Sequence, residues 1–251
     1  MTFIVCFLWI FGGLVAAALF SRIAYVVTRE ITYAPWLDLI VSLFTWIPWA
    51  AGAWMAGWMG VGAALLAQWI FLNAFCVLDR LVRGKPGPTL SCAHAKKLGW
   101  VRNEIALLLT TPAVVVFFLV RGAEILFYPP MAWMAKMPPY KTREWINLSR
   151  HKFDGLVGHD LVWCWYCDWM TGVWALGSEM LRNVESFWCP IRFCDGCKNR
   201  NVETDFPDVR KWCAAQGTME DAVKTWEKHY GSRDTHSWWD HPERKRDLPE
   251  A

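Results

Sequence analysis

The sequence predicts a mainly α protein: an integral membrane helical anchor of three to four apolar segments, joined to a small helical cysteine-rich C-terminal domain. Three observations carry this. Every long apolar run lies before Tyr128, six of the nine cysteines fall between Cys164 and Cys213, and the charge changes sign along the chain. Residues 1–150 hold 13 Lys/Arg against 6 Asp/Glu, net +7, whereas residues 151–251 hold 13 against 17, net −4. Composition therefore divides the chain into a transmembrane anchor (1–128), a proline-punctuated interfacial connector (129–152), a cysteine-rich head (153–230) and a charged tail (231–251).

The first segment, Thr2 to Phe20, is uncharged and close to the ~20 residues that span hydrocarbon. No positive stretch precedes it, so it reads as a retained helix and not as a cleaved signal. From Leu37 to Leu78 the chain is apolar for about two membrane thicknesses, broken only by Asp38 and the small-residue stretch Ala56 to Gly60. A tight helical hairpin follows. Pro48 is placed to kink its first arm, and Gly52, Gly57, Gly60 and Gly62 would let helix backbones approach closely. The last segment, Ile105 to Val120, is shorter and carries Thr110-Thr111-Pro112 near its middle. It either spans with a kink or dips in and returns.

Basic residues do not settle the topology by themselves. Six Lys/Arg lie between Arg80 and Arg102 and six more between Arg121 and Lys152, and the positive-inside rule puts both sets in the cytoplasm. A re-entrant or interfacial fourth segment, with the head on the cytoplasmic side, reconciles them. The anchor holds no histidine within an apolar run, and Asp38, Arg121 and Glu124 read as lying at run edges. That pattern disfavours haem held by paired histidines, proton relays and transport by this chain alone. Tryptophan, 19 residues, exceeds what one interfacial belt uses, which points to helix packing or to contact with lipid or pigment.

The connector is bounded by Pro129-Pro130 and Pro138-Pro139, and paired prolines argue against a continuous helix. Between them, Met131 to Met137 suits a short interfacial segment or, equally, a linker packed on the head domain. In the head, Val162, Trp165, Trp169, Val173, Leu176, Met180, Val184 and Phe187 recur every three or four residues and predict a helix from Asp160 to Phe187. A second short helix is expected from Met219 to His229, opened by Thr218 with Glu220 and Asp221 in its first turn.

Two C-x-x-C pairs, Cys164/Cys167 and Cys194/Cys197, are the candidate metal ligands. Four thiolates at this spacing resemble a zinc-ribbon or rubredoxin-type arrangement in ligand type and number, which implies zinc, with iron the weaker alternative. Trp163-Cys164-x-x-Cys167 also resembles the active-site run of thioredoxin-like proteins, without a strand before it. Disulfides, or unligated buried thiols such as Cys189 and Cys213, remain open readings; Cys6 and Cys76 read as membrane packing residues. His151 and His159 could replace a ligand, while His236 and His241 lie in the tail, which reads as a partner-binding or surface-draping segment.

No phosphate-cradling glycine loop, Gly-x-Ser-x-Gly or His-Glu-x-x-His occurs. The expected function is a non-catalytic membrane subunit that assembles or stabilises a larger membrane complex, with membrane lipids and other membrane subunits as partners and no nucleic acid. The alternatives are a membrane-bound thiol or metal-dependent redox protein and a pigment- or lipid-binding subunit.

Overall fold

The structure is a computed structural model, and it describes residues 2–83, 89–150, 153, 155–194, 206 and 209–231. Within these residues the chain is mainly helical, and its only β-type pairing consists of the isolated bridges Tyr33–Asn147 and Ile191–Cys213. Among the described residues, three helical stretches are long and apolar enough to cross a membrane: Phe3–Val27, Trp46–Arg83 and Trp100–Met134. The chain forms two compact units that interleave along the sequence. One comprises Met1–Phe117 with Thr142–Val173, the other Phe118–Lys141 with Trp174–Ala251.

In the first unit, α1 (Phe3–Val27) contains no proline and no charge before Arg22, so nothing interrupts its backbone ladder. After a 3-10 turn at Arg29–Thr32, α2 (Trp36–Phe44) leads into α3 (Trp46–Arg83). The expected hairpin is present. The α3 helix doubles back at Ala56 (φ −155°) and Gly57, whose φ of 59° is one that side chains resist. A methyl on Gly60 would coincide with the Gly52 carbonyl, and one on Gly52 with the Gly60 carbonyl, so both positions require glycine for the arms to touch. Ile10 and Leu14 of α1 pack on Ala64 and Ala67 of the second arm, with Phe7, Phe11, Phe44, Trp49 and Phe71 around them. Small residues facing branched ones let these helices approach closely. Cys6 and Cys76 are buried, as expected of packing residues.

The first arm breaks at Thr45, not at Pro48 itself. Proline lacks the N–H that would bond the Phe44 carbonyl four residues back, so the fault shows one turn earlier. Gln68 answers it. Its Nε2 donates to Phe44 O (2.9 Å) and Thr45 O (2.6 Å), while Trp49 Nε1 donates to Gln68 Oε1 (2.5 Å). The carbonyls that the proline leaves without an intrahelical donor are thereby paired within the protein.

At the far end of α3 the chain passes to α4 (Leu90–Leu98) and α5 (Trp100–Leu108). The α6 helix (Pro112–Leu126) starts at the expected break, where Thr110 and Thr111 N–H groups bond Leu107 and Leu108 carbonyls in tightened turns. Four aspartates join distant parts of this unit. Asp38 accepts from Trp169 Nε1 (2.9 Å), Asp79 from Gly158 N (2.9 Å), Asp160 from Leu90 N (2.8 Å) and Ser91 N (3.0 Å), and Asp168 from Ser149 N (2.8 Å) and Arg150 N (2.7 Å).

The periodicity-predicted helix is found as α9 (His159–Trp188), after α7 (Tyr128–Met134) and α8 (Thr142–Trp145). Its residues to Val173 belong to the first unit and the rest to the second. In the second unit, Leu176 and Met180 are buried, and α10 (Met219–Tyr230) starts at the Thr218 cap with a reciprocal capping box to Asp221. The α10 helix docks on the end of α9: Trp226 Nε1 donates to Phe187 O (2.9 Å), and the Phe187 ring meets those of Trp226 and Tyr230 edge-on. The paired prolines 129–130 begin a helix here. They occupy the first turn of α7, where the missing N–H groups would have had no intrahelical partner.

Candidate functional site

Cys164 and Cys167 sit within α9, in the first unit, and both are half-buried free thiols. Cys164 is the sixth residue of the helix, one turn beyond the amides that activate a thiol at a helix start. Burial raises the pKa of both thiols; the Arg150 guanidinium offsets this only in part. Both therefore stay protonated at neutral pH, the unreactive form of cysteine.

Of the other two expected ligands, Cys194 lies in the second unit and is disulfide-bonded, and Cys197 falls outside the described residues. Among the described residues no group of three or more His, Cys, Asp or Glu side chains could hold a metal ion. Cys189 is exposed, against the expectation of burial, and Cys213 is buried. His159 opens α9, and its pKa is lowered by burial and then by the nearby Arg80. His151 and the tail residues His236 and His241 also fall outside the described residues.

The densest chemistry among the described residues is a buried polar network in the second unit. Arg121 and Glu124, one turn apart on α6, form an ion pair (2.9 Å) with both side chains at most 5 % exposed. On α9, Glu179 pairs with Arg182 (2.9 Å), again one turn apart. The two helices meet at Gly177, where a methyl group would lie 3.0 Å from Val120 Cγ1 and 3.1 Å from Glu124 Oε1. Further along, Asn183 Nδ2 donates to the Tyr128 hydroxyl (3.1 Å), Ser186 Oγ shares a hydrogen bond with the Tyr230 hydroxyl (2.9 Å), and the Tyr128 and Tyr140 rings pack edge-on at 5.5 Å. Burial pushes the Tyr140 hydroxyl far above its ordinary pKa, so it acts as a neutral donor.

This network corrects the reading of Arg121 and Glu124 as edge residues. They lie inside the helical stretch Trp100–Met134, well before its end, and are buried. Their Arg-x-x-Glu spacing within an apolar run, matched by Glu179-x-x-Arg182, was the available signal, because oppositely charged residues one helical turn apart can neutralise each other. Apolar periodicity also missed Asp168, Glu179, Asn183 and Ser186, which share the buried side of α9 with Trp169, Val173 and Leu176.

The arrangement holds helices in register. Two arginines and two glutamates cancel in charge, and the remaining hydroxyls and amides pair among themselves or with backbone. No protein-family model matches this chain, and no curated protein or solved structure shows significant similarity to it.

Proposed function

We propose that this protein is an integral membrane subunit that acts by packing, assembling or stabilising a larger membrane complex. The observation that carries the reading is a shallow groove along the second arm of α3, lined by Trp69, Ile70, Asn73, Ala74, Val77, Leu78 and Leu81. It is apolar except for Asn73, whose amide, among the described residues, donates only to its own helix at Trp69 O (2.8 Å). A lone amide on an apolar helix face is expensive against lipid tails and favourable against a neighbouring helix. The stretch Trp100–Met134 supports the same reading, because only 6 % of its most apolar window is buried by the chain itself.

In this reading the end of α3 that carries Arg80 and Arg83 faces the cytoplasm with α4, as the positive-inside rule directs. The contact of Asp160 with the start of α4 supports the same side for the beginning of α9. Alkaline carbonate should leave the protein in the membrane pellet. In mild detergent it should migrate well above one 29.0 kDa chain in its micelle, and Ala74→Trp should return it to the single-chain position. Exposed Cys92 on α4 should react with an impermeant maleimide only from the cytoplasmic side. A wild-type chain that runs alone in mild detergent defeats the assembly reading, and release by carbonate defeats the membrane reading.

A further inference from the structure

The first unit distributes its charge unevenly. From Leu39 to Leu78, both arms and the turn of the hairpin are free of charged residues, and so is α1 up to Phe20. Trp54 and Trp58, beside the turn, are 92 % and 91 % exposed. Phe3 lies within 3.9 Å of the position a methyl group would take on Gly62, near that turn, so α1 begins at this charge-free end. The cations gather at the other end. Arg22 and Arg29 close α1 and the turn after it, Arg80 and Arg83 close α3, and Lys96, Lys97 and Arg102 follow on α4 and α5.

Two of these cations are engaged. Arg80 donates to Ser91 Oγ (3.1 Å), and Arg83 pairs with Asp79 (2.8 Å). Lys96, Lys97 and Arg102 are exposed and make no ion pair or hydrogen bond among the described residues. They are also held in place. The carboxylate of Asp160 and the hydroxyl of Thr89 cap the first turn of α4, and Gly99, at φ 84°, turns the chain sharply from Lys96-Lys97 to Trp100. Beside the cations stand Leu98, Trp100 and Val101, exposed at 48 %, 69 % and 59 %, where the third apolar stretch begins. Glu104 is the one exposed acidic residue between Thr89 and Leu108.

We propose that the corner Leu90–Arg102 binds the headgroups of anionic phospholipids. Lys96, Lys97 and Arg102 meet the phosphates while Leu98, Trp100 and Val101 sit at the acyl boundary. The proposal rests on the membrane reading above. Cations interleaved with aromatic and aliphatic residues at the mouth of an apolar span match a surface that is anionic outside and hydrocarbon within. A free phosphate would require convergent donors in a concavity, and these side chains spread along an exposed corner instead.

The test is a lipid titration of the full-length protein in neutral detergent, followed by native mass spectrometry. Dioleoyl phosphatidylglycerol should bind more tightly than dioleoyl phosphatidylcholine. Each cation removed should weaken the anionic lipid about fivefold, so Lys96→Gln/Lys97→Gln/Arg102→Gln should lose on the order of a hundredfold and with it the preference. Glu104→Gln should strengthen it. Variants are compared only where circular dichroism matches the wild type, and Lys97→Gln alone, with its fivefold loss, serves if the triple variant does not fold. Equal affinity for the two lipids overturns the proposal, as does a triple variant that keeps the preference. Displacement by millimolar inorganic phosphate would also overturn it, by assigning a free-phosphate site. A protein that stays in the carbonate pellet yet shows no lipid preference sinks this proposal alone and leaves the membrane reading standing.

Discussion

Gly60 and Gly62 stand two residues apart on one helix and differ completely in what a methyl group would meet. At Gly60 it would strike the Gly52 carbonyl, while at Gly62 the nearest atom is Phe3 Cε2 at 3.9 Å. Gly60→Ala should therefore force the hairpin arms apart at about 3 kcal/mol, the upper range for overpacking a tight contact. Gly62→Ala should be neutral or slightly stabilising, since alanine favours helix by up to about 1 kcal/mol over glycine. Denaturation of the detergent-solubilised variants decides, and equal losses would mean that the arms are not in contact. The half-buried thiols give a second residue-scale prediction. With burial raising both Cys164 and Cys167, the rate of alkylation by iodoacetamide should reach its midpoint above the ordinary thiol pKa of about 8.5. Arg150→Gln should move that midpoint higher, because the guanidinium favours the thiolate. A midpoint below 8.5 would restore the activated-thiol reading.

Among elements, those with a local signature were legible in the sequence. The apolar repeat marked α9 to within a residue at each end, Thr218 marked the start of α10, and the glycine-rich stretch marked the hairpin turn. What escaped was the polar content of buried surfaces. Asn183 and Ser186 are fully buried, yet hydropathy treats them as outward residues. The partner hydroxyls that make their burial tolerable, on Tyr128 and Tyr230, lie 55 and 44 residues away. The Arg121–Glu124 pair supplies a test on the same footing. Breaking a buried pair leaves an uncompensated charge, whereas replacing both partners by apolar groups of similar volume removes the desolvation cost as well. Arg121→Met should cost about 3–5 kcal/mol in thermal or denaturant unfolding, and Arg121→Met/Glu124→Leu should recover much of that. A double variant less stable than the single one would show that the pair contributes more than mutual neutralisation.

At the scale of the whole molecule, composition located the apolar segments but not the grouping of the chain. The first unit takes residues 142–173 together with the N-terminal helices, and the second takes residues 118–141 together with the C-terminal ones. A helix of one continuous period carries no mark of where its partners change, so the division of α9 after Val173 was not readable. The aspartates that join the first unit are equally silent, because a carboxylate accepting from a backbone N–H 79 or 70 residues away has no sequence neighbour to betray it. The same holds for the candidate site. The conspicuous C-x-x-C spacing drew attention to Cys164 and Cys167, thiols held protonated, while the hydroxyl and amide partners of the buried network and the Asp160 clamp on the cationic α4 corner come from residues far away in the chain.

The Asp160 carboxylate has a consequence for the order in which the chain matures. Leu90 and Ser91 find this acceptor only when residue 160 exists, 70 residues after Leu90. At about 5–20 residues per second, a ribosome needs about 4–14 s to supply it. During that interval only Thr89 is present to cap the first turn of α4, so the residues from Leu90 to Leu126 are synthesised before their Asp160 clamp exists.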